Sequence, residues 1–178
     1  SFAYLCDSAF REGILERGEN PDELIKIFGN AISRCVAEKP SDMVITTHMC
    51  RGNFQSTWMT SGGYEPVAEI MFNNLNTDGF FMEYDSDRAG GFEPLRFANK
   101  NQTVILGLVS SKIPKIEAKD EIKRRIEEAE KYIPIENLCL SPQCGFSSTH
   151  HGNNLSVDDQ RKKLELVVEV ADDVWGGI

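Results

Sequence analysis

The stretch Thr103-Val104-Ile105-Leu106-Gly107-Leu108-Val109 is apolar almost throughout and rich in branched side chains. It is too short for an ordinary helix and lacks the polar alternation of a strand with one wet face. It reads as a strand covered on both sides, the usual state of a strand in a parallel sheet. Downstream, 119–132 is a charged stretch with Ile122, Ile126, Ala129 and Tyr132 or Ile133 on one helical face, followed by a short strand, Leu138-Cys139-Leu140. A loop with Pro142, Gly145 and Gly152 then leads to a last helix from Ser156 to about Trp175, with Ser156 and Asp159 spaced as a helix cap. Upstream, Gly79-Phe80-Phe81-Met82 reads as another strand, with a polar loop from Glu83 to Gly91 behind it and a helix at about 65–75 before it. Met43 to Thr47 is a β-branched strand, and the helix opened by Asn20-Pro21 and ended by Pro40 precedes it. That helix carries Leu24, Phe28, Ala31, Ile32 and Cys35 at helical spacing, which predicts a buried face there.

Strands alternating with helices predict an α/β fold with a parallel sheet. Doubly wound sheets and (β/α)8 barrels both satisfy the pattern. A complete barrel takes roughly 250 residues, whereas this chain has 178 and shows about four βα units. It also enters abruptly, in what reads as a loop leading into a helix. The expectation is one domain, 1–178, forming part of a (β/α)8 TIM-type barrel whose first half is absent.

The 40% hydrophobic content suffices for one core, and the formal net charge of −9, with no long basic run, argues against a nucleic-acid partner. No apolar run approaches the length of a membrane span, and the first residues lack the basic and apolar regions of a signal peptide. A cytoplasmic protein is expected. Five cysteines (6, 35, 50, 139 and 144) give no even-numbered disulfide framework, so each is read separately.

His48 and Cys50 stand where the first strand ends, and residues i and i+2 of an extended segment share a side. Glu83 stands where the second strand ends, and Cys144 follows the fourth strand by a few residues. The carboxyl ends of parallel strands lie on one edge, where barrels and doubly wound sheets carry their active sites. The four residues should therefore converge. One nitrogen, two sulfurs and a carboxylate suit tetrahedral Zn²⁺. Ligands scattered over three strand ends, with no paired C-x-x-C hooks, point to a catalytic rather than a structural site. Two thiolates and a carboxylate leave a divalent ion with a single net negative charge. Exchanging Glu83 for a substrate thiolate keeps that charge, so Glu83 is the expected exchangeable ligand. A metal of this kind supplies the thiolate that a free thiol, with a pKa of about 8.5, scarcely forms at neutral pH.

Each residue also has a structural reading. A histidine at a strand end is commonly a hydrogen-bonded one, Cys50 alone reads equally as a buried thiol, and Asp85 or Asp87 could replace Glu83 as ligand. Cys35 on a helix face, Cys139 inside a strand and Cys6 are read as structural. His150-His151 reads as a loop pair.

His-Met-Cys-Arg-Gly-Asn-Phe (48–54), Phe-Met-Glu-Tyr-Asp (81–85) and Leu-Ser-Pro-Gln-Cys-Gly-Phe (140–146) resemble the catalytic barrel of cobalamin-independent methionine synthase, in family order. The likeness is greatest to the short bacterial relatives called methionine synthase II-like. It implies that His48, Cys50, Glu83 and Cys144 hold zinc, that the chain is the C-terminal half of the barrel, and that a homocysteine-like thiol is methylated in methionine synthesis. Where full-length synthases carry Asp-Ile-His, this chain has Ser110-Ser111-Lys112. Ser110, Lys112 and Asp7 are the candidates for substrate contacts. The methyl donor stays open between a folate, a methylcobalamin protein and another small carrier. Two rival readings keep the zinc: a thiol alkyltransferase of the epoxide-opening coenzyme M type, and a non-catalytic zinc module. The remaining barrel half would come from a further segment or a partner chain.

Overall fold

In the computed structural model, which describes residues 2–176, four parallel strands pair in sequential order, β1-β2-β3-β4. They are β1 (Thr46–Met49), β2 (Gly79–Glu83), β3 (Thr103–Val109) and β4 (Leu138–Pro142). The helices are α1 (Ser8–Glu16), α2 (Pro21–Val36), α3 (Glu65–Asn74), α4 (Lys119–Glu130) and α5 (Val157–Trp175). A doubly wound sheet reverses its strand order at a switch point. Uninterrupted sequential order is instead the arc of a (β/α)8 barrel.

The register shows which face is covered. Phe80, Val104 and Leu138 share one row, Met49, Met82 and Leu106 another, and all six are buried under the helices. The intervening row, His48–Phe81–Ile105–Cys139, faces the other way. Phe81 is 37% exposed there, and His48 and Cys139 are exposed as well. Cys139 lies inside β4 and outside the donor group, in keeping with a structural reading, but its side chain is exposed. It sits on a strand whose second face is open.

The buried face of α2 also differs from expectation. Ile25, Gly29 and Val36 point inward, while Phe28, Ala31 and Cys35 are exposed. A Cβ on Gly29 would lie 2.8 Å from Ile70 Cγ2, so α3 packs too close to α2 here for a side chain at this position. Leu24 and Ile32 of the expected stripe do pack against the core, whereas Phe28, Ala31 and Cys35 lie on the outer side. The strand expected at 43–47 begins later, at Thr46, because the Ile45 N–H donates to the Asp78 carboxylate (2.7 Å). The chain also opens with structure that the sequence reading left as a loop, a 3-10 turn Phe2–Cys6 and then α1. Between β2 and β3 the crossover is not an α-helix but two 3-10 turns, Asp87–Ala89 and Glu93–Phe97, in a stretch broken by Gly90, Gly91 and Pro94. The Ser156–Asp159 capping box forms as expected. Among the described residues, no helix is long and apolar enough to cross a membrane.

Adjacent phenylalanines test the assignment of faces. Phe80→Ala should destabilise the fold by about 3–5 kcal/mol, the usual range for a buried aromatic, and Phe81→Ala by less than about 1 kcal/mol. Chemical denaturation of the two variants checks this, and equal losses would contradict the open face.

Candidate metal centre

β1 and β4 are the edge strands of the sheet, three inter-strand steps or about 14 Å apart. Their carboxyl-end loops nonetheless meet. His48 Nε2 and Cys50 Sγ each lie 3.3 Å from Cys144 Sγ. The donor atoms of these three residues all fall within 4.8 Å of one another. Two asparagines hold the Cys144 loop in place. Asn53 Nδ2 donates to the Gly145 carbonyl (3.3 Å), and Asn153 Nδ2 donates to the same carbonyl (3.4 Å) and to that of Ser111 (2.9 Å). Donor atoms on a tetrahedral zinc ion with bonds of 2.0–2.3 Å stand roughly 3.5–3.8 Å apart, so this set fits such an ion with little adjustment.

The two sulfurs differ sharply in acidity. Hydrogen bonds from Cys144 and then from His48, with the Gly52 N–H at 3.3 Å, bring the Cys50 thiol down to about 4 against burial. Cys144 is pushed well above the ordinary thiol range, first by its hydrogen bond to Cys50 and then by burial.

Glu83 ends β2 with its side chain fully enclosed. It falls outside the group of three. Its Oε1 accepts from Lys112 Nζ (3.1 Å) and from Arg88, and its Oε2 from the Arg51 N–H (3.2 Å). Burial pushes its carboxyl upward, but Lys112 and then Arg88 outweigh this and hold it below the usual carboxylate range. Lys112 Nζ also donates to Gln143 Oε1 (2.8 Å), the residue before Cys144. Gly107 lies opposite Glu83 in the sheet, where a Cβ would come within 2.8 Å of the Met82 carbonyl and 3.6 Å of Gln143. Only a glycine keeps that space clear. Tyr64 locks the two strand ends together. Its hydroxyl accepts from the Glu83 N–H (2.9 Å), and the Arg51 guanidinium covers its ring at 4.3 Å.

The remaining sequence candidates are placed as follows. Asp85 is bound by Arg88 (2.7 Å), Asp87 starts a 3-10 turn, and neither joins the donor group. Asp7 caps α1 through the Phe10 N–H (3.1 Å) and accepts from the Ser61 N–H (2.8 Å). Ser110 is buried, its N–H donating to Glu117 (2.9 Å). His150 and His151 are an exposed loop pair, with His151 edge-on to Phe54. Sequence reasoning missed Arg88 and Gln143. Arg88 was findable as the one cation in the acidic run Glu83-Tyr84-Asp85-Ser86-Asp87. Beside this network opens a cavity of about 610 Å³, bordered by Trp58, Asp85, Arg88, Lys112, Ile113 and Ile116 among others.

Residues 5–173 match the family model described as the catalytic domain of cobalamin-independent synthase. The chain belongs to that family. The Bacillus subtilis (strain 168) protein YxjG is 52% identical over 159 residues, which is 89% of this chain and 42% of YxjG. A 5-methyltetrahydropteroyltriglutamate–homocysteine methyltransferase of Bacillus velezensis is 24% identical over 80% of the chain and 17% of its own length. Among solved structures, a provisionally assigned vitamin-B12 independent methionine synthase from Listeria monocytogenes superposes with a TM-score of 0.73 at 36% identity, covering 98% of this chain and 46% of that one. The B12-independent methionine synthase of Shewanella sp. W3-18-1, at 19% identity and a TM-score of 0.68, shares the fold over 86% of this chain. The cobalamin-independent synthase domain described here thus spans about half the length of its relatives YxjG and the Listeria protein.

The acidity of Cys50 predicts a reactivity pattern. In chelator-treated protein, a group held near 4 is already thiolate at pH 6, so iodoacetamide should modify Cys50 there while Cys6, raised to about 11 by burial, stays intact. Peptide mass spectrometry across pH 4–9 checks this expectation, and a Cys50 profile rising only above about pH 8 would refute it.

Proposed function

We propose that the protein is the thiol-activating part of a zinc-dependent S-methyltransferase, acting on homocysteine or a similar small thiol in methionine synthesis. The observation that carries the reading is the convergence of His48, Cys50 and Cys144 from opposite edges of the sheet, beside an enclosed carboxylate and an open cavity. His48, Cys50 and Cys144 would hold the ion, with Glu83 as the fourth, exchangeable ligand. When bound, zinc would supply the positive charge that lowers the pKa of a substrate thiol while leaving its sulfur nucleophilic. Cys50 and Cys144 keep the site electron-rich, and Tyr64 fixes the two strand ends from which His48, Cys50 and Glu83 project.

The surroundings favour a working site over a structural one. His48 is exposed and both cysteines are only half-buried, so a thiol can approach. The adjoining cavity, with Trp58 under the Arg88 guanidinium at 4.8 Å, is where we place the methyl donor. The open row His48–Phe81–Ile105–Cys139 would face the other half of the barrel, from a further segment or a partner chain. The overall negative charge accords with small-molecule partners and a cytoplasmic setting.

Protein prepared without chelator should contain about one zinc ion per chain. Cys50→Ser or Cys144→Ser should lose most of it, because oxygen replaces a soft ligand poorly. Zinc-edge X-ray absorption should show two sulfur ligands, and a third after homocysteine is added. Glu83→Gln should retain zinc but slow thiol methylation, with Asp85→Asn as the control. Full zinc retention in the double cysteine variant would sink the reading, and an unchanged sulfur count with homocysteine would favour a structural site.

A further inference from the structure

Lys112 is buried in the loop after β3, with 3% of its side chain exposed, and its ammonium sits between two elements of the centre. On one side is Glu83 Oε1 at 3.1 Å, on the other Gln143 Oε1 at 2.8 Å, and the Cys144 sulfur follows directly in sequence. A lysine enclosed in this way needs a partner charge to remain an ammonium, and Glu83 is the partner it has. Arg88 reaches the same oxygen, Oε1, but its guanidinium is shared with Asp85. Lys112 has no second carboxylate within its hydrogen bonds. The structure therefore shows the Glu83 carboxylate occupied by cations, outside the group formed by His48, Cys50 and Cys144.

We propose that Lys112 is a positioning residue that acts through Glu83. It is the counter-charge that receives the carboxylate whenever Glu83 is not a metal ligand, and so it makes exchange of Glu83 for a substrate thiol favourable. The inference rests on the reading of Glu83 as an exchangeable ligand given above. The physical reason is the burial. A carboxylate released from an ion inside an enclosed site would be an uncompensated charge, which is strongly unfavourable unless a cation waits for it. Lys112 supplies that cation from a different strand loop. The Gln143 side chain ties its ammonium to the loop that bears Cys144, so both ends of the exchange are held in one network.

The test compares Lys112→Met with Lys112→Arg, Glu83→Gln and the double variant Lys112→Met/Glu83→Gln, using Co²⁺ or Zn²⁺ as metal and homocysteine as thiol. Lys112→Met should bind Zn²⁺ at least as tightly as the unaltered protein, because the competitor for Glu83 has gone. Its affinity for homocysteine, followed by the sulfur-to-cobalt absorption of the Co²⁺ form, should fall about tenfold or more, within the range of measured couplings between contacting residues. Lys112→Arg should restore much of it. In the Glu83→Gln background, Lys112→Met should have no further effect on thiol binding, since the carboxylate it serves is gone. The inference is overturned if Lys112→Met weakens Zn²⁺ and leaves thiol binding unchanged, or if its effect is equally large without Glu83. Unaltered protein that fails to take up either metal would refute the metal reading itself. Unaltered protein that binds metal but adds no sulfur with homocysteine would refute thiol activation at this site, and the exchangeable role of Glu83 with it. Circular dichroism of Lys112→Met guards against a folding defect, and the Arg variant carries the test if the Met variant is unstable.

Discussion

Cys50 and Cys144 come from opposite edges of a four-stranded sheet, yet their sulfurs are 3.3 Å apart. A flat sheet could not bring them together, since about 14 Å of backbone spacing separates the edges. The strands must curl, and the loops must lean across β2 and β3. Twist and curl follow from the sheet itself, but the last few ångströms are set by side chains. Asn53 and Asn153 converge on the single carbonyl of Gly145, and Gly107 leaves room below for Gln143. The rest of the centre depends on this closure. Without it, His48 and Cys50 would form a two-donor site at a strand end, too poor to hold zinc in a closed tetrahedron.

Glu83 shows how such an edge tolerates buried charge. Glu83 and Asp85 contribute two negative charges and Arg88 and Lys112 two positive ones, so the enclosed network is neutral as a whole. Neutrality alone does not make a buried network stabilising, because desolvation opposes it. What it provides is a carboxylate with defined alternatives. An acid that had only one partner would be fixed there. Glu83 has cations on one oxygen and a backbone N–H on the other, and that N–H belongs to Arg51, the residue after Cys50 of the three-donor group. The sulfur pair is related in chemistry, since the contact with Cys144 and then His48 favours the thiolate of Cys50.

Much of this was legible in the residues. The run Thr103–Val109 was read as a strand and is one, and the capping residues Asn20 and Ser156 marked helix starts that the structure keeps. Strand-end logic brought His48, Cys50 and Cys144 to one edge because parallel strands share a direction, which depends on no distance. Placing Glu83 beside them was also legible, but not its cation partners. Lys112 and Arg88 reach it from a loop after a different strand and from the loop that follows it, and neither spacing has a period to betray it. The face of α2 was misread for a different reason. Apolar spacing finds a stripe, and its Leu24 and Ile32 do touch the core, but the fully buried positions are Ile25, Gly29 and Val36, where Gly29 leaves room for Ile70 of α3.

The apolar character of β2 and β3 has a second meaning once the open face is considered. The row His48–Phe81–Ile105–Cys139 is apolar in its middle, and the next row toward the carboxyl edge, Glu83–Gly107–Ser141, is polar or small. Polarity on this face therefore rises toward the strand ends, where His48, Cys50 and Glu83 sit. A face that had only to meet solvent would show no such gradient, because an exposed Phe81 gains nothing there. An apolar floor beneath a polar rim is what a site needs when it must exclude water from below and admit a small polar molecule from above. The floor also explains why β3 reads as buried on both sides, although the helices of this chain cover only one face of the sheet.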